Sequence, residues 1–567
     1  MRRYQSGSDR MRSQRPHWPL ARAGLCLALW CQWSITAVAI SPGEVADFDS
    51  LIAFARQASS QPHRPAPALP DSLAKLDYEQ YREIQFKHSR ATWGQSDSPF
   101  WLEYFHRGFV QRDRIEIFTI NRDSAKKEPE TTLIPYRPDD FDFGDGVRVD
   151  SLTSEIGLAG LKIAGRFEPS GDPQELWTFL GSSYFRGRTG QTVYGASNRG
   201  LAINVGLNQP EEFPVFRKFW VIHPKPNAQS IDVLAWLDGP SISGAYAFSM
   251  TPGQHVSRAQ VHCRLFLRSV PDKLAVAPIT SMWMWGDGLA RPEQDARPSV
   301  HDSDGLLIHA DGKWTWRTFT RPPHPSVWSV PVDRCDGFGL LQRDRDYTSF
   351  EDSNARYDLR PSVWIQPQVP WHHGRVELLE LPGAHEGVDN IGAYWIADKP
   401  YSPAQSIDFT YEIFHFGGQL PKSLRDAKSH HRLWTCQQMT LDRSDDKIAI
   451  NVLLSPPMTS DTMTIPVNQS RLVISTVRGE VLEQSVTGDG QSDLLVSLSL
   501  RPTHDEPMEV TFDLVDANGQ SIAERFATLV PNEQPVFVYP DVYTRKESEA
   551  ARRSSRENGN SSHVDEK

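Results

Sequence analysis

Met508-Glu509-Val510-Thr511-Phe512-Asp513-Leu514 alternates without a break: Met508, Val510, Phe512 and Leu514 are apolar, while Glu509, Thr511 and Asp513 are polar. A strand sends successive side chains to opposite faces, so this stretch describes a half-buried strand. Asp516-Ala517-Asn518-Gly519 then supplies a turn, and a second run follows with Ile522 and Phe526. Upstream, Ile448, Ile450, Val452 and Leu454 alternate in the same way, as do Leu472 and Ile474. The period is two, not 3.6, and this decides the class of fold.

The same pattern extends towards the N-terminus. Between about residue 85 and residue 420 short β-like runs such as Leu201–Leu207 and Ile231–Leu237 are punctuated by Gly, Pro, Asn and Asp. Long amphipathic helices are missing, which predicts an all-β chain of sandwiches or barrels and excludes a doubly wound α/β fold. Polar, basic residues around 421–432, including Lys422, Arg425, Lys428, His430 and His431, mark an expected boundary. It separates a large β domain over 45–420 from a smaller immunoglobulin-like sandwich over 432–544, which lacks the Cys…Trp…Cys hallmark. Two short helices are expected before the first strands. Asp47 or Asp49 caps one whose stripe is Leu51, Phe54, Ala55 and Ala58, and Asp71 caps another running to about Ile84. Pro62 to Pro70 links them.

Both ends differ in composition. Arg2, Arg3, Arg10, Arg12, Arg15 and Arg22 face only Asp9, and Ala23 to Ala39 is apolar apart from Gln32, Ser34 and Thr36, ending in Ala37-Val38-Ala39. A basic region, an apolar run and an A-x-A site predict a signal peptide over 1–39 and export to the periplasm. The run is short for a membrane anchor, and Arg2-Arg3 stands too far from it for a twin-arginine signal. Residues 545–567 are charged and Ser-rich, and predict a disordered tail.

Charge and motifs remove whole classes of function. The net charge is −11, and an acidic chain lacks the basic face that nucleic acid requires. A mean hydropathy of −0.48 excludes a polytopic membrane protein. Cys263, Cys335 and Cys436, the cysteines beyond the leader, are widely spaced and fit neither a disulfide scaffold nor a zinc site. No G-x-S-x-G, P-loop, H-E-x-x-H or dinucleotide fingerprint is present, so no cofactor or metal is expected. Asn468-Gln469-Ser470 forms a sequon of the kind that arises by chance.

Three segments concentrate carboxylates, arginines and tryptophans. The first holds Trp283 and Trp285, then His301-Asp302-Ser303-Asp304, then Trp314 and Trp316. The second holds Arg343-Asp344-Arg345-Asp346, Tyr357, Arg360 and Trp364; the third is His385-Glu386-Gly387-Val388-Asp389-Asn390-Ile391. Acids beside flat aromatic rings suit a polysaccharide, whose C–H faces stack on rings while its hydroxyls bond to charged groups. Glycoside hydrolysis requires two carboxyl groups with separated pKa values. Asp302 and Asp304 offer two on one side of a strand, and Asp389 or Glu386 offers a partner. The structural alternative is equally concrete: Asp and Asn beside Gly are mostly turn residues, the Arg-Asp pairs suit a surface ladder, and at least one Trp pair belongs in the core.

The strings TSMWMWG, VHDSDGL, WTWR, GFGLLQRDRDY, YDLRPSVWIQP and VDNIGAYW resemble the periplasmic osmoregulated glucan biosynthesis proteins G and D. PFWLEYFHRGF, FLGSSYFR, ASNRGLAI, EEFPVFRKFW and SISGAYAF fit the same family. The resemblance implies a galactose-mutarotase-like β-sandwich followed by the immunoglobulin-like one. It also implies action on the β-1,2-glucan backbone as an inverting endo-β-1,2-glucanase. On the family's pattern Asp389 is the general acid and Asp302 the base, separated by roughly 6.5 to 9.5 Å or more so that water fits between them. Asp304, His301, Arg343, Arg345, Tyr357, Arg360, Trp364, Trp285 and Glu386 are expected to bind substrate. The alternative is a non-catalytic glucan-binding or assembly factor working with an inner-membrane glucosyltransferase, and a homodimer is compatible with either. The chain departs from the pattern at Glu386-Gly387-Val388-Asp389, where many members carry Glu-Thr-Asn-Asp, and at Trp283 and Trp285, where others carry Phe or smaller residues.

Overall fold

The computed structural model describes residues 40–531, apart from 123–127, 145, 146, 148–151, 169, 384, 404, 445, 459–469 and 489–491. The expected signal peptide, the Asn468 sequon and the expected tail therefore lie, wholly or in part, outside the described residues. The chain is all-β, as its period-two runs predict. Among the described residues twenty-three strands join through hydrogen bonds into one network, and a further sheet has four strands. No described helix is long and apolar enough to cross a membrane.

Local chemistry explains the helices. Asp47 Oδ1 accepts the Ser50 backbone N–H at 2.9 Å and starts Phe48–Ser59, which buries Leu51, Ile52 and Ala55. The second helix is not continuous to Ile84. It stops at Ala74, and Tyr78–Arg82 starts afresh because Asp77 and Gln80 cap each other reciprocally. The strand expected over Leu201–Leu207 ends at Ile203, where Asn204 turns with φ 58°.

The alternating runs near the C-terminus fold as read. Arg471–Val477, Met508–Val515 and Arg525–Val530 pair antiparallel in sequence, with Ile474 opposite Phe512 and Phe512 opposite Phe526. Their apolar faces share one buried cluster with Ile450, Val452, Val496 and Leu498 of the four-stranded sheet. Arg525–Val530 also pairs in parallel with Lys313–Thr318, placing Trp316 opposite Phe526. At this seam Arg343 is buried. Its guanidinium donates to both Glu524 oxygens at 2.6 and 2.9 Å and to the Cys436 carbonyl at 3.0 Å, and lies 3.6 Å from the Trp316 ring centroid. His430 contacts the same carboxylate at 2.5 Å. Arg343, expected to bind substrate, is thus a structural cation, since both of its terminal nitrogens are engaged by Glu524, one of them also by a carbonyl. Trp364 is likewise core, stacked on Trp314 with centroids 5.7 Å apart. Cys263, Cys335 and Cys436 are buried free thiols.

Removing one partner of a buried ion pair leaves the other charge uncompensated. Arg343→Ala should lower unfolding free energy by about 3–5 kcal/mol in denaturant titration. A loss below about 1 kcal/mol, the range of exposed pairs, would contradict this placement.

Candidate active site

Asp389 owes its position to its neighbour. Asn390 is buried; its side-chain oxygen accepts the Trp283 N–H at 2.8 Å, and its amide nitrogen donates to the Trp283 carbonyl at 2.8 Å and the Leu381 carbonyl at 3.3 Å. These bonds fix the entry into strand Ile391–Ala397, which pairs with Leu274–Ser281. Asp389, one residue earlier, is left half-buried, with Oδ2 accepting the Thr280 hydroxyl at 2.6 Å.

Asp302 is held from the other side of the same framework. Its backbone N–H donates to the Met282 carbonyl at 2.8 Å, and the Ser303 and Ser281 hydroxyls meet at 2.9 Å. The residue is 8% exposed, and its carboxyl sits 3.3 Å from Arg360 Nε. Burial pushes its pKa up to about 6; the Arg360 and Arg186 charges pull it down, while Asp389 and Glu386 push it further up. Asp302 therefore senses the charge of Asp389. Asp304 plays a different part: Oδ2 accepts the Arg343 and Asp344 N–H groups at 2.8 and 3.1 Å and braces that loop, and burial raises its pKa to about 7. His301 bonds Gln342 at 2.8 Å and is pushed down to about 4 by burial, so it is a neutral internal support.

Arg297 joins the segments. It donates to Asp295 at 2.6 Å, to Asp352 at 2.8 Å, and to both Glu386 oxygens at 2.6 and 3.0 Å. Tyr357 donates its hydroxyl to Glu386 at 2.6 Å, and its ring lies 5.2 Å beneath the Arg360 guanidinium. Arg360 donates to the Tyr194 and Ala355 carbonyls, and Arg345 donates to the Arg360 carbonyl. Asp389 opens onto a cleft of about 580 Å³ lined with Tyr184, Tyr194, Arg186, Glu175 and Phe105. A smaller cavity of about 180 Å³ shares Asp389 and Tyr184 with it. Acids, guanidinium groups and partly exposed rings thus converge as a sugar site requires. Among the described residues no group of three or more His, Cys, Asp or Glu side chains is placed to hold a metal ion.

A family model described as periplasmic glucan biosynthesis protein, MdoG, matches residues 46–529. The chain belongs to this family. The MdoG family acts in periplasmic glucan biosynthesis. Similar solved structures include the galactosidase domain of alpha-galactosidase-sucrose kinase, AgaSK (8% identity, 45% of this chain and 39% of that one, TM-score 0.23). The GH36 alpha-galactosidase AgaB from Geobacillus stearothermophilus gives 8% identity over 46% of this chain and 39% of that one, with TM-score 0.23. Chondroitin AC lyase from Streptomyces coelicolor A3 gives 8% identity over 49% and 35%, with TM-score 0.12. The chain spans about 39% of either galactosidase chain.

In this MdoG-family chain the expected residues divide into two groups. Asp389, Asp302, Glu386, Tyr357 and Arg360 come together, and Arg345 supports Arg360 from behind. Trp285 is fully buried, donating to the Arg297 carbonyl at 3.1 Å with the Arg297 guanidinium 5.7 Å from its ring, so it offers no face to a ligand. Arg343, Trp364, His301 and Asp304 are structural. Sequence reading did not single out Arg297, Glu175, Arg186, Tyr184, Tyr194 or Thr280. Three of these had a signal, because Tyr184 and Arg186 lie in FLGSSYFR and Thr280 opens TSMWMWG.

The raised pKa of Asp302 has a thermodynamic consequence. From an ordinary value of 3.8, a folded pKa near 6 means that the folded chain binds the proton more tightly than the unfolded chain. That stability is complete below about pH 4 and is lost as pH rises through about 6. Asp302→Asn should therefore be more stable than the parent at pH 8, by up to about 3 kcal/mol, with the difference closing towards pH 4. An equal difference at both pH values in denaturant titrations would contradict the burial argument.

Proposed function

We propose that this MdoG-family chain hydrolyses the β-1,2-glucan backbone internally, with inversion at the anomeric carbon. The observation that carries the reading is the pair itself: Asp389 lines the open cleft, while Asp302 lies buried within range of its charge. Asp389, at the cleft wall, is placed to give a proton to the leaving oxygen. Asp302, set back beside Arg360, is suited to act through water, accepting a proton from the attacking molecule. The second carboxyl then needs no bond to the sugar, which is the division of roles that inversion requires. Arg360 and Arg186 favour the ionised form of Asp302. The rings of Tyr184 and Tyr194 give C–H faces somewhere to stack.

Reducing-end release from linear β-1,2-glucan tests this reading. Asp389→Asn and Asp302→Asn should each lower the rate by about 10²–10⁴-fold while glucan binding persists. The rate of the parent protein should rise with pH through about 6 as Asp302 ionises. A full rate in Asp389→Asn would remove the acid from the scheme. Binding without any cleavage by the parent would instead favour a glucan-binding factor that serves membrane glucosyltransferases.

A further inference from the structure

A second cavity, of about 550 Å³, adjoins the cleft and takes no part in the chemistry above. Its lining includes Trp101, Glu103, Ala164, Arg166 and Glu175, and Glu175 lines the first cleft as well. The two cavities share one sheet face. Residues directly opposite each other on paired strands project to the same side. Strand pairing sets Glu103 opposite Lys162, Lys162 opposite Thr178 and Thr178 opposite Arg186. The adjacent row is Trp101, Ala164 and Glu175. Thr178 and Arg186 belong to the first cleft, and Trp101 and Ala164 to the second cavity. The row from Arg186 to Glu103 crosses three strand spacings, roughly 14 Å. A single pyranose ring cannot bridge that span; an oligosaccharide can.

The face also has the chemistry of a sugar track. Trp177, on the same strand as Glu175, is fully buried, whereas Trp101 and Phe105 are half-buried and face this surface. Arg166 lies 5.9 Å from the Trp101 ring centroid and Lys162 lies 5.5 Å from that of Phe105. Lys162 also bridges Glu103 at 3.3 Å and Glu175 at 2.5 Å, so the ionic groups between the cavities are held in place before any ligand arrives. Rings interleaved with fixed acids and cations suit a neutral polyhydroxylated chain, which stacks on the rings and bonds to the charges.

We infer that a glucan chain engaged at Asp389 continues across this face into the second cavity, where Trp101 is a remote binding platform that selects long chains over short ones. The inference rests on the reading of the cleft as a glucan site. It is tested by calorimetric titration of β-1,2-glucan polymer and of β-1,2-glucotriose into the Asp389→Asn protein, with and without Trp101→Ala. Loss of one stacking ring should weaken polymer binding by about tenfold, the equivalent of about 1.4 kcal/mol, and leave the trisaccharide affinity as it was. Trp101→Phe should recover most of the loss, and Arg166→Ala should weaken polymer binding in the same sense. Unchanged polymer affinity in Trp101→Ala would overturn the platform and leave the cleft reading intact; so would an equal loss for both ligands. Failure of Asp389→Asn and of the parent to bind either ligand would overturn both.

Discussion

The guanidinium of Arg297 holds three carboxylates from three separate stretches of chain, and the geometry around Asp389 depends on that fork. Asp295 lies two residues away, but Asp352 and Glu386 come from loops that strands alone would not fix against each other. Charge-assisted bonds of 2.6 to 3.0 Å are among the stronger polar contacts a protein makes. Through Glu386 the fork steadies the loop that carries Asp389, and through the Tyr357 hydroxyl it reaches the segment that carries Arg360. Arg360 then faces Asp302. One cation therefore ties the open carboxyl to the buried one.

A second buried cation serves the fold. Arg343 fixes the strands around residue 525 to those around residue 316, and Glu524 and His430 complete its surroundings. Burial raises the pKa of Glu524 less than its partners lower it, so its carboxyl is held down at about 2 with Arg343 the principal cause of the lowering. Asp302, with a single guanidinium at 3.3 Å and two further acids acting on it, moves up instead. The contrast shows how pairing decides whether burial leaves an acid's pKa above or below its ordinary value.

The all-β character was legible because period-two alternation is local: Met508 to Leu514 can be read without knowing what it packs against. The helix at Phe48 was legible for the same reason, and the break at Lys75–Asp77 was hidden because Asp77 acts as a second cap inside an apparently continuous pattern. Asp302 and Asp389 stand out only through their surrounding motifs, since nothing local separates them from turn residues. Residue type misled at Trp285, Trp364 and Arg343, because a ring or a guanidinium reads alike whether it faces sugar or core. Arg297 and Glu175 were invisible. Their meaning comes from partners up to 89 positions apart and from strand pairings that bring Ala164 opposite Glu175.

The proposed hydrolysis needs two carboxyl groups acting from opposite sides of a glycosidic bond. Proton NMR of the anomeric signals during early hydrolysis of linear β-1,2-glucan tests it most directly. Inversion predicts that the new reducing ends appear first as the α-anomer and mutarotate towards equilibrium. First appearance of the β-anomer would contradict the proposed roles of Asp389 and Asp302.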